Sequence, residues 1–266
     1  MSFAEARQIA EEVRAPWTRG GPSITATEMT IDGVRVRRYG SSNSVFIYLH
    51  GGGWTLFSLD THDRLMREYA DRAGVTVLGV DYALSPESKY PVALEQVVAV
   101  AHSVGQSATS MAIGGDSAGA NLAIAACMRE PRLFRAMVLN YCVFDRDSSK
   151  EARERFGGPG NMLTAEEMDG FWRNYLRDER DADDPFACPL RGDLRGLPPA
   201  LIVVPEYDLL AEQSVQLADR LEVSELRVYR GAVHSFLEAV SISSLADRAL
   251  EETSSWLRDH SAGSRQ

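Results

Sequence analysis

Two glycine-framed motifs and one late histidine are the residues of this chain best placed to do chemistry. Gly115-Asp-Ser-Ala-Gly119 is a G-x-S-x-G pattern that follows the apolar run Met111–Ile113 and opens an alanine-rich stretch. A serine on a tight strand-to-helix turn has its hydroxyl lifted clear of the sheet above a helix N-terminus. Glycine is needed on either side because Cβ atoms there would collide. The bland alternative is a chance Gly/Ser turn at a helix start, and the strand before and helix after weigh against it. His50-Gly-Gly-Gly-Trp54 directly follows Val45–Leu49. Three successive glycines weaken any regular element, so they suit a place where backbone N–H groups must approach a ligand. That is the requirement of an oxyanion hole, with one donor from Ala118, the residue after the serine, and others from the glycine loop.

A serine hydroxyl is a weak nucleophile at neutral pH and needs a base. In a strand–serine–helix site the chain order is serine, acid, histidine. Of the five histidines, His62 and His102 precede Ser117, His260 lies in a polar C-terminal stretch, and His50 is expected to orient the glycine loop. His234, in Gly231-Ala-Val-His-Ser-Phe236, follows the last apolar strand and fits the base. The carboxylate must lie between, at a strand end. Glu206, Asp208 and Glu212 all follow Ala200–Val204 and compete for that role. Together these groups imply nucleophilic acyl transfer without metal or organic cofactor.

Such groups need a sheet to position them. Short apolar runs rich in β-branched residues occur at Val45–Leu49, Val75–Val80, Met111–Ile113, Ala136–Asn140, Ala200–Val204 and Leu226–Tyr229. Helical stretches lie between most of them, as at 91–105, 118–130, 211–222 and 245–259. This alternation predicts an α/β fold with a mostly parallel sheet covered on both faces. Glu28–Ile31 and Val34–Tyr39 flank Asp32-Gly33, a tight-turn signal, so an antiparallel hairpin is expected at one edge. Phe3, Ala6, Ile9, Ala10 and Val13 have helical spacing and predict a short amphipathic helix over 3–14. Residues 145–190 break the rhythm. They are expected to form a helical insertion over the carboxyl edge of the sheet, where ligands bind in open α/β sheets. Within it, 166–176 reads as a helix and the acid run Asp178–Asp184 as a solvated loop. The whole of 1–266 is expected to be one domain, with 1–22 and 145–190 forming a small cap.

The bulk composition narrows the partners. The 266 residues carry a formal charge of −10, with 44% hydrophobic residues. An acidic surface repels phosphates, which argues against nucleic acid and anionic membrane. Cys127, Cys142 and Cys188 offer neither a disulfide framework nor zinc spacing, and Cys127 and Cys142 read as buried small hydrophobes. The N-terminus has an early acid and no apolar core of a signal peptide, and no run approaches the ~20 residues of a membrane span. A soluble cytoplasmic protein is the expectation, acting on a small molecule, with a homodimer left open.

Taken together, residues 43–258 resemble the hormone-sensitive-lipase-like family of α/β-hydrolases, the group containing bacterial acetyl esterases and arylesterases. The resemblance rests on His50-Gly-Gly-Gly-Trp54, Ser58-Leu-Asp-Thr-His-Asp63, Asp81-Tyr-Ala-Leu-Ser-Pro-Glu87, Lys89-Tyr-Pro91, Gly115-Asp-Ser-Ala-Gly119, Leu197-Pro-Pro-Ala-Leu201 and Glu206-Tyr-Asp208. It implies Ser117 as nucleophile, Asp208 as acid and His234 as base. It implies the N–H groups of Gly52, Gly53 and Ala118 as oxyanion donors, and hydrolysis of short-chain, acetyl-like esters. The chain departs from the family at Ser235 and Phe57, where glycine is usual or frequent, at Leu209 for a proline, and at Ala83 and Ala211 for arginines. Its N-terminal segment is short for the family, which reduces half of the usual helical cap. Trp54, Phe57, Phe171, Trp172 and also Trp17 are candidate pocket residues, with ordinary core packing as the competing reading. Rival functions are an amidase or deacetylase using the same triad, and a non-catalytic ligand-binding relative. The retained His234 weighs against the second. A lipid-surface lipase is disfavoured by the acidic charge.

Overall fold

The computed structural model describes residues 1–261. Its centre is an eight-stranded sheet of β1 (Ala26–Ile31), β2 (Val34–Tyr39), β3 (Ser44–Leu49), β4 (Thr76–Val80), β5 (Ser110–Asp116), β6 (Ala136–Asn140), β7 (Ala200–Tyr207) and β8 (Ser224–Val233). The spatial order is β1-β2-β4-β3-β5-β6-β7-β8, antiparallel through β1, β2 and β4 and parallel from β4 to β8. The hairpin therefore sits at one edge, as Asp32-Gly33 suggested. Both residues have positive φ, +49° and +78°, as a tight primed turn requires.

Strand alternation explains why the parallel strands are apolar throughout. On β3, Val45, Ile47 and Leu49 join one core layer while Phe46 and Tyr48 join the other. Met111 and Ile113 of β5 likewise part from Ala112. A strand covered on both faces has no solvent side to mark with polar residues. One layer is completed by α3 (Val92–Gly105), α4 (Ala118–Arg129) and α7 (Ala211–Arg220), the other by α2 (Asp63–Ala73) and α8 (Ser244–Ser261). Helix α2 buries Leu65, Met66, Tyr69, Ala70 and Ala73 on one stripe and ends on left-handed Gly74, a common helix stop.

The remaining helices are α1 (Phe3–Arg14), α5 (Lys150–Phe156) and α6 (Ala165–Tyr175), the last two inserted between β6 and β7. Two expectations change here. The large apolar residues of α1 do not face the protein: Phe3, Ile9 and Val13 are 39%, 46% and 62% exposed, Ala6 and Ala10 are half-buried, and the one buried residue is Arg14. The acid run at 178–184 is not a fully solvated loop. Glu179–Asp183 forms a short 3-10 turn in which Asp181 and Ala182 are buried, and Asp181 accepts hydrogen bonds from the backbone and guanidinium of Arg177. No helix among the described residues is long and apolar enough to cross a membrane.

Candidate active site

Ser117 stands between β5 and α4 with φ +51° and ψ −118°, a conformation that costs free energy for a residue with a Cβ. The turn is tight because the glycines permit it. A Cβ on Gly119 would lie 2.0 Å from the carbonyl oxygen of Leu49, and one on Gly115 would lie 2.1 Å from the same atom. The elbow is thus pressed against the end of β3, which carries the glycine loop directly onward. The Ser117 N–H donates to Asn140 O at 2.9 Å, fixing the turn to β6.

His234 follows the last residue of β8, and Asp208 the last residue of β7. Both strands are longer than their apolar cores, since β7 and β8 pair from Ala200/Ser224 to Tyr207/Val233. The structure brings the three side chains into one line: Nε2 of His234 is 3.1 Å from Ser117 Oγ, and Nδ1 is 2.8 Å from Asp208 Oδ2. The other oxygen of Asp208 accepts from the Leu210 N–H at 2.9 Å. Burial pushes the His234 imidazole down, but the charge and hydrogen bond of Asp208 outweigh it, and the ring ends above its ordinary pKa. Glu206 and Glu212 face elsewhere, accepting from the N–H groups of Gly231 and Ser149.

In the glycine loop, Gly52 O accepts from the N–H groups of Thr55 and Leu56, and Gly53 O accepts from Thr55 Oγ1. The N–H groups of Gly52, Gly53 and Ala118 donate to no protein acceptor among the described residues. His50 is buried, its Nδ1–H donates to Gly51 O, and it stacks on Tyr82, whose hydroxyl donates to His50 O. Burial and the neighbouring His62 push its pKa down to about 4, so the ring is neutral near pH 7.

The candidate pocket residues separate. Phe171 packs its ring on Gly53, where a Cβ would meet it at 2.2 Å. Phe57 is half-buried beside Gly52 with φ +67°. Trp54 and Trp172 are instead enclosed, 0% and 2% exposed, in a cluster where Trp54 stacks on Tyr175 at 4.1 Å. Their placement is that of core packing beneath the loop. Half-buried Trp17 lies against Arg14.

Sequence reasoning passed over three neighbours. Tyr141 (φ +38°) sets its ring edge-on to His234 at 5.1 Å. Asp116, the variable residue of G-x-S-x-G, accepts from Tyr48 and meets His62. Glu238, four residues after His234, is buried near His62. The only available signal was that these are polar residues beside the motifs. His62, Asp116 and Glu238 lie within 4.8 Å of one another, and Arg14 Nη1, 3.3 Å from Glu238, supplies a positive charge there.

Comparison with known proteins places this geometry. Residues 46–238 match the family model described as alpha/beta hydrolase fold. The acetyl esterase of Salmonella schwarzengrund is 36% identical, over 89% of this chain and 80% of that protein. A hyperthermophilic esterase from the archaeon Pyrobaculum calidifontis superposes with a TM-score of 0.91 at 29% identity, covering 99% of this chain and 95% of that one. A thermostable carboxylesterase cloned from a metagenomic library gives 0.92 at 28% identity, covering 99% of both.

Proposed function

The chain belongs to the α/β-hydrolase family, in its hormone-sensitive-lipase-like branch, and from that premise we propose that it is a serine carboxylesterase acting on short-chain, acetyl-like esters of small molecules. The observation that carries this reading is the Ser117–His234–Asp208 chain at 3.1 and 2.8 Å, facing unpartnered amides of the glycine loop. Neutral His234 takes the Ser117 proton as Oγ attacks the ester carbonyl. Asp208 holds the imidazole in the needed tautomer and stabilises the imidazolium without taking its proton. The oxyanion accepts from the N–H groups of Gly52, Gly53 and Ala118, each such donor contributing about 10²–10³ in rate. His234 then protonates the leaving alcohol, and water, deprotonated by the same ring, frees the acid from Ser117.

Short acyl groups fit a site in which the Phe171 ring covers Gly53 and the Phe57 ring lies against Gly52. Relatives that bear the name acetyl esterase support the same choice. The test is kcat/KM for p-nitrophenyl esters from acetyl to decanoyl, with p-nitroacetanilide alongside. Rates should fall as the acyl chain lengthens, and the anilide should be the poorer substrate. Faster turnover of the anilide than of the acetate would favour an amidase.

A further inference from the structure

Helix α1 is fastened to the site by arginines. Arg7 and Arg14 lie seven residues apart, two turns along one face, while Phe3, Ile9 and Val13 point outward. Arg7 Nε donates to Thr55 O at 2.8 Å and its Nη2 to Ser85 O at 2.9 Å, while the Ser85 N–H donates to Trp54 O. Its outer edge pairs with the Glu87 carboxylate. Arg7 thus ties two carbonyls together on the far side of the glycine loop. Thr55 is the residue whose N–H and hydroxyl occupy the Gly52 and Gly53 carbonyls.

Arg14 is buried, with its guanidinium 4.3 Å from the Trp17 ring centre and 4.9 Å from that of Phe57. A cation held over aromatic faces is attracted by their quadrupoles. Its charge is met by Glu238, 3.3 Å away, whose two carboxylate oxygens accept no hydrogen bond among the described residues and which lies four residues after His234 in the chain. The segment that Arg7 and Arg14 hold is strained. Trp54 and Phe57 both have positive φ, +57° and +67°, and such backbone persists only where its surroundings over-determine it.

We propose that Arg7 and Arg14 are positioning residues that make α1 a clamp on the glycine loop, setting the directions of the Gly52 and Gly53 amides. Arg7 fixes the Thr55 carbonyl, and Arg14 holds the Phe57 ring against Gly52. The claim rests on the carboxylesterase reading, because it concerns donors used in the transition state. A loosened donor weakens an interaction made with the oxyanion, so the loss falls on kcat and spares KM.

The test uses the full chain and p-nitrophenyl acetate, with kcat expressed per site titrated by a fluorophosphonate. That normalisation removes any loss of folded protein, which a merely structural role would produce. Arg7→Met should lower kcat per site about tenfold with KM within roughly twofold. Arg14→Met alone would strand the Glu238 charge and endanger folding, so Arg14→Met is made together with Glu238→Gln. The double variant should lose kcat to a similar degree, and Arg14→Lys, which keeps the charge beside Glu238, should recover part of it. Unchanged kcat per site in both Arg7→Met and the double variant overturns the clamp, even if both melt earlier. A wild-type enzyme that neither labels nor turns over overturns the esterase reading itself, and the clamp falls with it.

Discussion

Nε2 of His62 lies 3.2 Å from Oδ2 of Asp116, the residue before Ser117, and both side chains are closed off from solvent. Asp116 Oδ1 also accepts from the Tyr48 hydroxyl at 2.7 Å. Burial alone would push His62 down and Asp116 up. Each instead moves the other way because of its partner: His62 stands above its ordinary 6.5 through the charges of Asp116 and Glu238, and Asp116 below its ordinary 3.8 through His62 and Tyr48. A buried pair, ionic while His62 holds its proton, thus adjoins the nucleophile.

This pair should give the folding stability a definite pH dependence. The raised pKa of His62 contributes stability that is complete below the ordinary histidine value and lost as pH rises through the higher folded value. The lowered pKa of Asp116 contributes above the ordinary carboxylate value and is lost as pH falls below it. The pair therefore stabilises most between about pH 4 and about pH 6.5. His62→Gln should lower Tm by several degrees near pH 6 and by clearly less near pH 9. Calorimetry of both proteins across that range checks it, and a gap that stays constant with pH would remove the charged pair from the account.

Asp208 should be the carboxylate on which the rate depends. Its Oδ2 meets His234 Nδ1, while Glu206 and Glu212 cap backbone N–H groups elsewhere. Asp208→Asn leaves the ring with a donor where it needs an acceptor and should cost on the order of 10⁴ in kcat. Glu206→Gln and Glu212→Gln should stay within a few-fold of wild type. Steady-state kinetics of the three variants decide it.

The rate should fall on the acid side through one ionisation. His234 must be neutral to accept the Ser117 proton, and Asp208 holds its pKa above the ordinary 6.5 despite burial. The acid limb of kcat/KM should therefore have its midpoint above about pH 6.5, with a plateau on the alkaline side. Because Ser117 attacks directly, a chelator should leave the profile unchanged. The pH profile of aryl acetate hydrolysis with and without chelator tests both. A flat acid limb would exclude histidine as the base.

Much of this site was legible because backbone geometry restricts the residues that can build it. Only glycine fits at 115 and 119 against Leu49, and the strand–serine–helix order then points forward to His234 and to a carboxylate among Glu206, Asp208 and Glu212, of which the family resemblance selects Asp208. The glycine positions of the family were informative even where this chain departs from them: Phe57 and Ser235 keep left-handed backbone, φ +67° and +62°, despite their side chains. The helices outside the two core layers were legible only in outline. Helical spacing located α1, but the face it buries is set by Thr55, Ser85, Phe57 and Glu238, all distant in sequence. Its large apolar residues pointed to the opposite face. Trp54 and Trp172 were ambiguous for a related reason: an aromatic beside a site has the same composition whether it lines the pocket or supports it, and only the stack on Tyr175 separates the cases.

Ser117 should form the covalent intermediate, and peptide mapping by mass spectrometry after treatment with a fluorophosphonate reads this out residue by residue. The expected result is one adduct per chain on the peptide containing Ser117, parallel loss of aryl acetate hydrolysis, and neither labelling nor turnover in Ser117→Ala, which should remain folded because it loses only one hydroxyl. An adduct on another residue, or a Ser117→Ala protein that keeps most of its activity, would contradict the account.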